Sequence, residues 1–148
     1  MRKPDEVFLW YTPNMKPKIS IITLGVSDFH KSFEFYTVGL GFTPHNYKPG
    51  ETYVMYKMEG TWFSLFPIQQ MSEDAGVPRK ISALSSITLA HNVESEEKVN
   101  EVFAQALQAG ATSIKTPQKA SWGGYAGYFA DPDGYLWEVA YNPFTDLT

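Results

Sequence analysis

The sequence predicts an α+β domain built from two tandem βαβββ modules, and three observations carry that prediction. A strand-like Ser20-Ile21-Ile22-Thr23-Leu24 recurs as Ser85-Ser86-Ile87-Thr88-Leu89. Each copy runs through a polar break into a helical pattern. Each helical pattern is followed by a run of short apolar strands ending in a turn signal.

In the first strand Ile22, Leu24 and Val26 share one face, and Ile21, Thr23 and Gly25 the other. Ser27 or Asp28 is then placed to cap a helix whose apolar stripe is Phe29, Ser32, Phe33 and Tyr36, before Gly39 and Gly41 stop it. Strand-like runs follow at 42–47, 52–58 and 62–67, with Gly60 turning the last hairpin. Residues 69–82 mix Gly, Pro and charge, and read as a linker with at most one loose turn.

The second half repeats the plan. Ile87 and Leu89 oppose Ser86, Thr88 and Ala90 along the strand. Ser95 caps the next helix, and Glu96 and Glu97 in its first turn complement the helix dipole. Val99, Val102, Phe103, Ala106 and Leu107 form its apolar stripe, and Gly110 sits where a left-handed residue ends it. Strands are predicted at 112–115, 125–130 and 135–141, the last two joined by Asp131-Pro132-Asp133-Gly134, with Pro and Gly at the positions a type I turn favours. The organisation is therefore an arm at 1–17, one domain at 18–143 (module one 18–68, linker 69–82, module two 83–143) and a tail at 144–148.

Composition narrows the function. With 12 Lys and Arg against 16 Asp and Glu, and no basic run, the chain offers no footprint for a nucleic-acid backbone. No stretch is long and apolar enough for a membrane span, so the expectation is a cytoplasmic protein without membrane or nucleic-acid partners. The absence of Cys removes thiolate nucleophiles and Cys-type metal sites, leaving His, Asp, Glu and Tyr for first-line chemistry. Aromatic residues, at 16%, exceed what a core of this size needs, which points to a ligand pocket with rigid walls.

The opening ITLGVSDFHKSFEFYTVGLGF and the closing GYFADPDGYLWEVAYNP resemble the vicinal oxygen chelate superfamily, which includes glyoxalases, extradiol dioxygenases and bleomycin resistance proteins. The resemblance implies a curved mixed sheet with a concave ligand cleft and helices on the convex side. In its metal-binding members, ligands come from strand positions that fall here on Ile21, on or near Ser64, on Ser86 and on Glu138. Glu138 alone matches. Ile has no lone pair and Ser is a poor charge donor, so the expected cofactor is none, with a divalent metal disfavoured.

The resulting expectation is a small-molecule-binding protein whose cleft holds an organic ligand, either a toxic or planar aromatic compound that it sequesters or a metabolite on which it acts without metal. Glu138 is the candidate acid-base or ligand-contacting group, since Leu136, Glu138 and Ala140 alternate with Trp137, Val139 and Tyr141. Candidate ligand contacts are Glu138, Trp122, Tyr125, Tyr128, Trp62, Tyr56, Ser86, Ile21 and Ser64. Tyr53 and Phe66 belong to the same aromatic set, and alternation does not choose which of its members line the pocket. Trp122-Gly123-Gly124-Tyr125 precedes a strand rather than a helix, so it reads as a bulge or flap rather than a phosphate loop. His30, His45 and His91 are expected on faces other than that of Glu138.

Two other readings stay open. One is a metal-dependent lyase, isomerase or dioxygenase completed by His45 or His91 of a second copy, for a homodimer is compatible with the arm. The other is a non-catalytic interaction module whose cleft is filled by Ile21, Trp62 and Phe66.

Overall fold

The computed structural model describes residues 15–81 and 86–148, so the arm is described only at its end and the start of module two lies outside the described residues. The element order is β1 (Ile21–Val26), α1 (Phe29–Glu34), β2 (Pro44–His45), β3 (Val54–Tyr56), β4 (Trp62–Pro67), α2 (Ile68–Ala75), β5 (Thr88–Asn92), α3 (Glu96–Gln108), β6 (Thr112–Lys119), β7 (Tyr125–Ala130) and β8 (Leu136–Tyr141). Both modules adopt the βαβββ order expected from the sequence, and the class is α+β.

Hydrogen bonding groups the strands into two open four-stranded sheets, ordered β1-β4-β3-β2 and β5-β8-β7-β6. In each, the first strand of the module runs parallel to the last and the remaining pairs are antiparallel. The single curved sheet of the sequence reading is thus divided at a seam between the edge strands β1 and β5. Cavities of about 340 and 310 Å³ lie along that seam, and Ile22 and Leu89 line both.

One face of each sheet is buried against the helices. Leu24, Val26, Phe63, Leu65, Val54 and Tyr56 supply it from the first sheet, and Phe129, Trp137 and Val139 from the second. Phe35 and Tyr36 from the first helical segment and Val99, Phe103 and Ala106 from α3 complete the core. Burial of this apolar surface is the principal stabilising term. The ring of Phe63 meets that of Trp137 with centroids 5.8 Å apart, so the halves share one core.

The helix caps follow the residue chemistry. Asp28 accepts from the Lys31 amide at α1, and Ser95 from the Lys98 amide at α3. Ser27, the other candidate, instead bonds Asp133 across the modules. The α1 helix continues as a π-helical turn, Phe35–Gly39, which brings Phe35 and Tyr36 into the core beside each other.

Three expectations are corrected. The linker holds a full helix, α2, closed by Gly76 in the left-handed region, because Ile68 and Met71 find an apolar seat over Gly25. A Cβ at Gly25 would stand 2.4 Å from Ile68 Cδ1, so a larger residue there would make the Ile68 side chain shift. The runs at 42–47 and 52–58 contract to Pro44–His45 and Val54–Tyr56, since Pro44 and the turn around Gly50 limit pairing. By contrast β6 extends to Lys119 through Pro117, which an edge strand with register shifts accommodates.

The Asp-Pro-Asp-Gly turn is closed by the Gly134 amide donating to the Asp131 carbonyl. It also fastens the modules together. Tyr36 donates to Asp131, Ser27 and Ser32 donate to Asp133, and the Tyr135 hydroxyl donates to the Gly25 carbonyl. Among the described residues, no helix is long and apolar enough to cross a membrane.

Candidate functional site

The cleft-facing surface follows from strand alternation once the core face is known. Trp137 and Val139 are buried, so Leu136, Glu138 and Ala140 project from the opposite side of β8. Directly paired residues share a face. Ala90, Glu138, Tyr128 and Lys115 therefore form one row across β5, β8, β7 and β6.

That row opens into a cavity of about 190 Å³ lined by Glu138, Tyr128, Lys115, Gln118, Ser121 and Trp122, with Ala120 and Ala126 leaving room. Glu138 and Tyr128 are half-buried and Trp122 is exposed. Burial first, then the hydrogen bond and charge of Glu138, push the Tyr128 phenol above its ordinary pKa. Tyr128 thus stays a neutral donor beside an acceptor carboxylate.

Trp122 is held by the glycines that follow it. A Cβ on Gly124 would lie 1.9 Å from the Trp122 ring and 2.6 Å from the Tyr141 carbonyl. Gly123, at φ 98°, makes the turn that folds the indole back and packs near the Phe144 ring. The segment forms a flap beside the pocket and leads into β7, not into a helix.

The sequence candidates separate into three groups. Glu138, Tyr128 and Trp122 come together in this pocket. Ile21, Ser64 and Trp62 lie on the corresponding face of the first sheet, through the pairings Ile21–Trp62 and Thr23–Ser64. There Ser64 is fully buried and shares a hydrogen bond with Thr23, which occupies its hydroxyl. Tyr53 and Phe66 meet edge to face on that same side.

Tyr56 and Tyr125 lie on the helix side of their sheets. Tyr56 is paired with Phe63 in the core and bonds Thr37, while Tyr125 pairs with Tyr141 and donates to Asn100 of α3. Tyr125 and Tyr128 are an odd number of residues apart on one strand, so only one can face the cleft. Tyr56 and Tyr125 therefore lie away from the pocket around Glu138, on the opposite face of their sheets.

Ser86 precedes β5 and is exposed. The place in the second sheet equivalent to Ile21 belongs to Thr88: Phe63 and Leu65 correspond to Trp137 and Val139, so Ser64 corresponds to Glu138, Thr23 to Ala90, and Ile21 to Thr88. Of the histidines, His30 belongs to α1 and His91 pairs with Val139 on the helix side. His45 differs from expectation. Its pairing with Met55, next to Ser64, puts it on the cleft side of the first sheet, where its ring meets Trp62 at 5.0 Å.

The strand positions at which the resemblance implies metal ligands therefore hold Ile21, Ser64, Thr88 and Glu138 in this chain. An aliphatic side chain, a buried and engaged hydroxyl, a neutral hydroxyl and one carboxylate do not fit a divalent cation. Among the described residues, no group of His, Asp and Glu is arranged to hold an ion.

The residues that sequence reasoning missed are Lys115, Gln118 and Ser121. Lys115 was within reach of it, as the last residue of a predicted strand. Its register opposite Tyr128 was not, because the shifts in β6 break simple counting.

Comparison with known proteins agrees with the fold. A family model described as Glyoxalase/Bleomycin resistance protein/Dioxygenase superfamily matches residues 18–139. Among solved structures, a glyoxalase-related enzyme from Fulvimarina pelagi is 33% identical, with a TM-score of 0.80 over 90% of this chain and 94% of that one. A glyoxalase/bleomycin resistance protein/dioxygenase from Nocardioides is 24% identical, with a TM-score of 0.74 over 92% and 91%. A lactoylglutathione lyase from Agrobacterium tumefaciens is 22% identical, with a TM-score of 0.66 over 86% and 96%. The latter two share the fold.

Proposed function

The chain belongs to the glyoxalase/bleomycin resistance protein/dioxygenase superfamily, and from that premise we propose that it binds a small organic ligand in the pocket around Glu138, with no resident metal ion. The observation that carries this reading is the Glu138–Tyr128–Lys115 row beside the Trp122 indole. An acceptor, a neutral phenol and a cation line one cavity together with a flat indole, which is the usual recipe for orienting an organic molecule. The donor set at Ile21, Ser64, Thr88 and Glu138 supports binding through hydrogen bonds rather than through a cation.

A thermal-shift screen of single-ring compounds tests the reading. A ligand at a hundred times its Kd should stabilise the protein by about 2.7 kcal/mol, and Glu138→Gln should weaken it while leaving the unliganded transition in place. A screen without any stabiliser, or binding indifferent to both Glu138→Gln and Trp122→Ala, would count against it. Pairing with a second copy is part of the proposal, supported by the exposed Ile21 and Tyr53 on the cleft side of the first sheet. Sedimentation equilibrium checks it, a monomer at all concentrations being the contrary result.

A further inference from the structure

The geometry points to a ligand class: we infer that this pocket selects a small zwitterion, a single ring or short chain with a protonated amine at one end and an acid at the other. The inference rests on the reading above and deepens it. Lys115 and Glu138 are the charged residues lining the cavity. Both pair with Tyr128, one on each side of it, and so project from the same face two strands apart. Two strand spacings place their backbones roughly 10 Å from each other.

The two side chains form no ion pair with one another. Among the described residues the ion pairs are Lys98–Glu101 and Lys119–Glu96, and neither Lys115 nor Glu138 takes part. A ligand carrying only an amine would pair with Glu138 but leave Lys115 opposed to its charge. A ligand carrying only an acid would meet the reverse difficulty. A molecule with both ends ionised satisfies the two side chains together and is oriented by them, amine toward β8 and acid toward β6.

Size and wall chemistry agree. An apolar cavity of about 150 Å³ accommodates benzene, so about 190 Å³ suits one ring with short substituents. Ala120 and Ala126 keep the floor clear, Trp122 supplies a flat face, and Tyr128 stands between the charges as a neutral hydrogen-bonding group. Selection against singly charged analogues then comes from the partner left unmatched, not from shape.

The experiment is a calorimetric titration with four probes of one shape: 4-(aminomethyl)benzoate, 4-methylbenzylamine, 4-methylbenzoate and 4-methylbenzyl alcohol. Two-dimensional NMR of the Trp122 indole N–H, assigned with Trp122→Phe, reports the site. The zwitterion should bind at least roughly tenfold more tightly than either singly charged probe. Glu138→Gln should remove the advantage over the acid, and Lys115→Met the advantage over the amine. The double variant K115E/E138K should recover a preference for the zwitterion with reversed orientation. Thermal unfolding of each variant confirms that it is folded. Equal binding of all four probes at Trp122 would overturn the zwitterion inference while leaving the pocket reading intact. Absence of any perturbation at Trp122 by all four would overturn both.

Discussion

The Tyr36 hydroxyl donates a 2.6 Å hydrogen bond to Asp131 while accepting one from the Trp137 indole at 3.0 Å, joining the first helical segment to the closing turn and to the strand that follows it. All three side chains are buried. The contact fixes how the modules meet, and with them the seam beside the cleft.

Tyr36→Phe keeps the ring but removes the only atom that serves both partners. Asp131 would retain the Asp133 and Tyr135 amides, and the Trp137 N–H would be left without an acceptor. A loss of about 2–3 kcal/mol is expected, measured as a fall in the urea midpoint. A change below the error of the measurement would show that the network is not a structural tie.

Asp131 itself carries a pH signature. Burial raises its pKa, with the bonds from Tyr36, Tyr135 and Asp133 acting in the opposite direction. An acid with a raised folded pKa contributes stability that is present below its unfolded value of 3.8 and is lost as pH rises through the folded one. The stability of the parent protein relative to Asp131→Asn should therefore improve on acidification from about pH 7 to about pH 4. A flat difference, or one of opposite sign, contradicts the assignment.

At the alkaline end Tyr56 is the informative group. Desolvation raises its pKa to about 12, against a lowering by the bond to Thr37. Its contribution to stability is fully present below pH 10.0, the unfolded value, and is lost between there and about 12. Denaturation at increasing pH should show that loss, and Tyr56→Phe should reduce its steepness. Ultraviolet titration should find this phenol ionising late, as it should Tyr36, which burial and Asp131 push up as well.

Gly124→Ala tests the seat of Trp122. The new methyl group would contact the indole and also the fixed Tyr141 carbonyl, so the flap cannot relax by moving the side chain alone. A destabilisation of about 1–3 kcal/mol is expected, together with a displaced Trp122 indole resonance and weaker ligand binding. An unchanged resonance would mean that the ring does not rest against Gly124 in solution.

Much of this was legible in the sequence, because periodicity reports local geometry directly. The order of strands and helices, the caps at Asp28 and Ser95, the tight turn at Asp131 and the alternation of Glu138 with Trp137 and Val139 on β8 each depend on residues close in the chain. Residue spacing is enough to decide them. The α2 helix was hidden because eight residues are too few to hold a helix alone, and its seat, the packing of Ile68 and Met71 over Gly25, joins residues distant in the chain.

The tertiary structure alone decided register and partners. The Ser20 to Leu24 repeat matches Ser85 to Leu89 in sequence, yet the sheets align Ile21 with Thr88, two residues away. A slip of two keeps every side chain on its face, so alternation cannot detect it. Nor can alternation say which face of β7 meets the helices, and on that rests the choice of Tyr128 over Tyr125. Long-range packing around Trp137 and Val139 makes that choice, and the same packing carries Lys115 to the far side of Tyr128. Chemistry at this site depends on which strands lie side by side, a property of the assembled sheet that spacing along the chain does not contain.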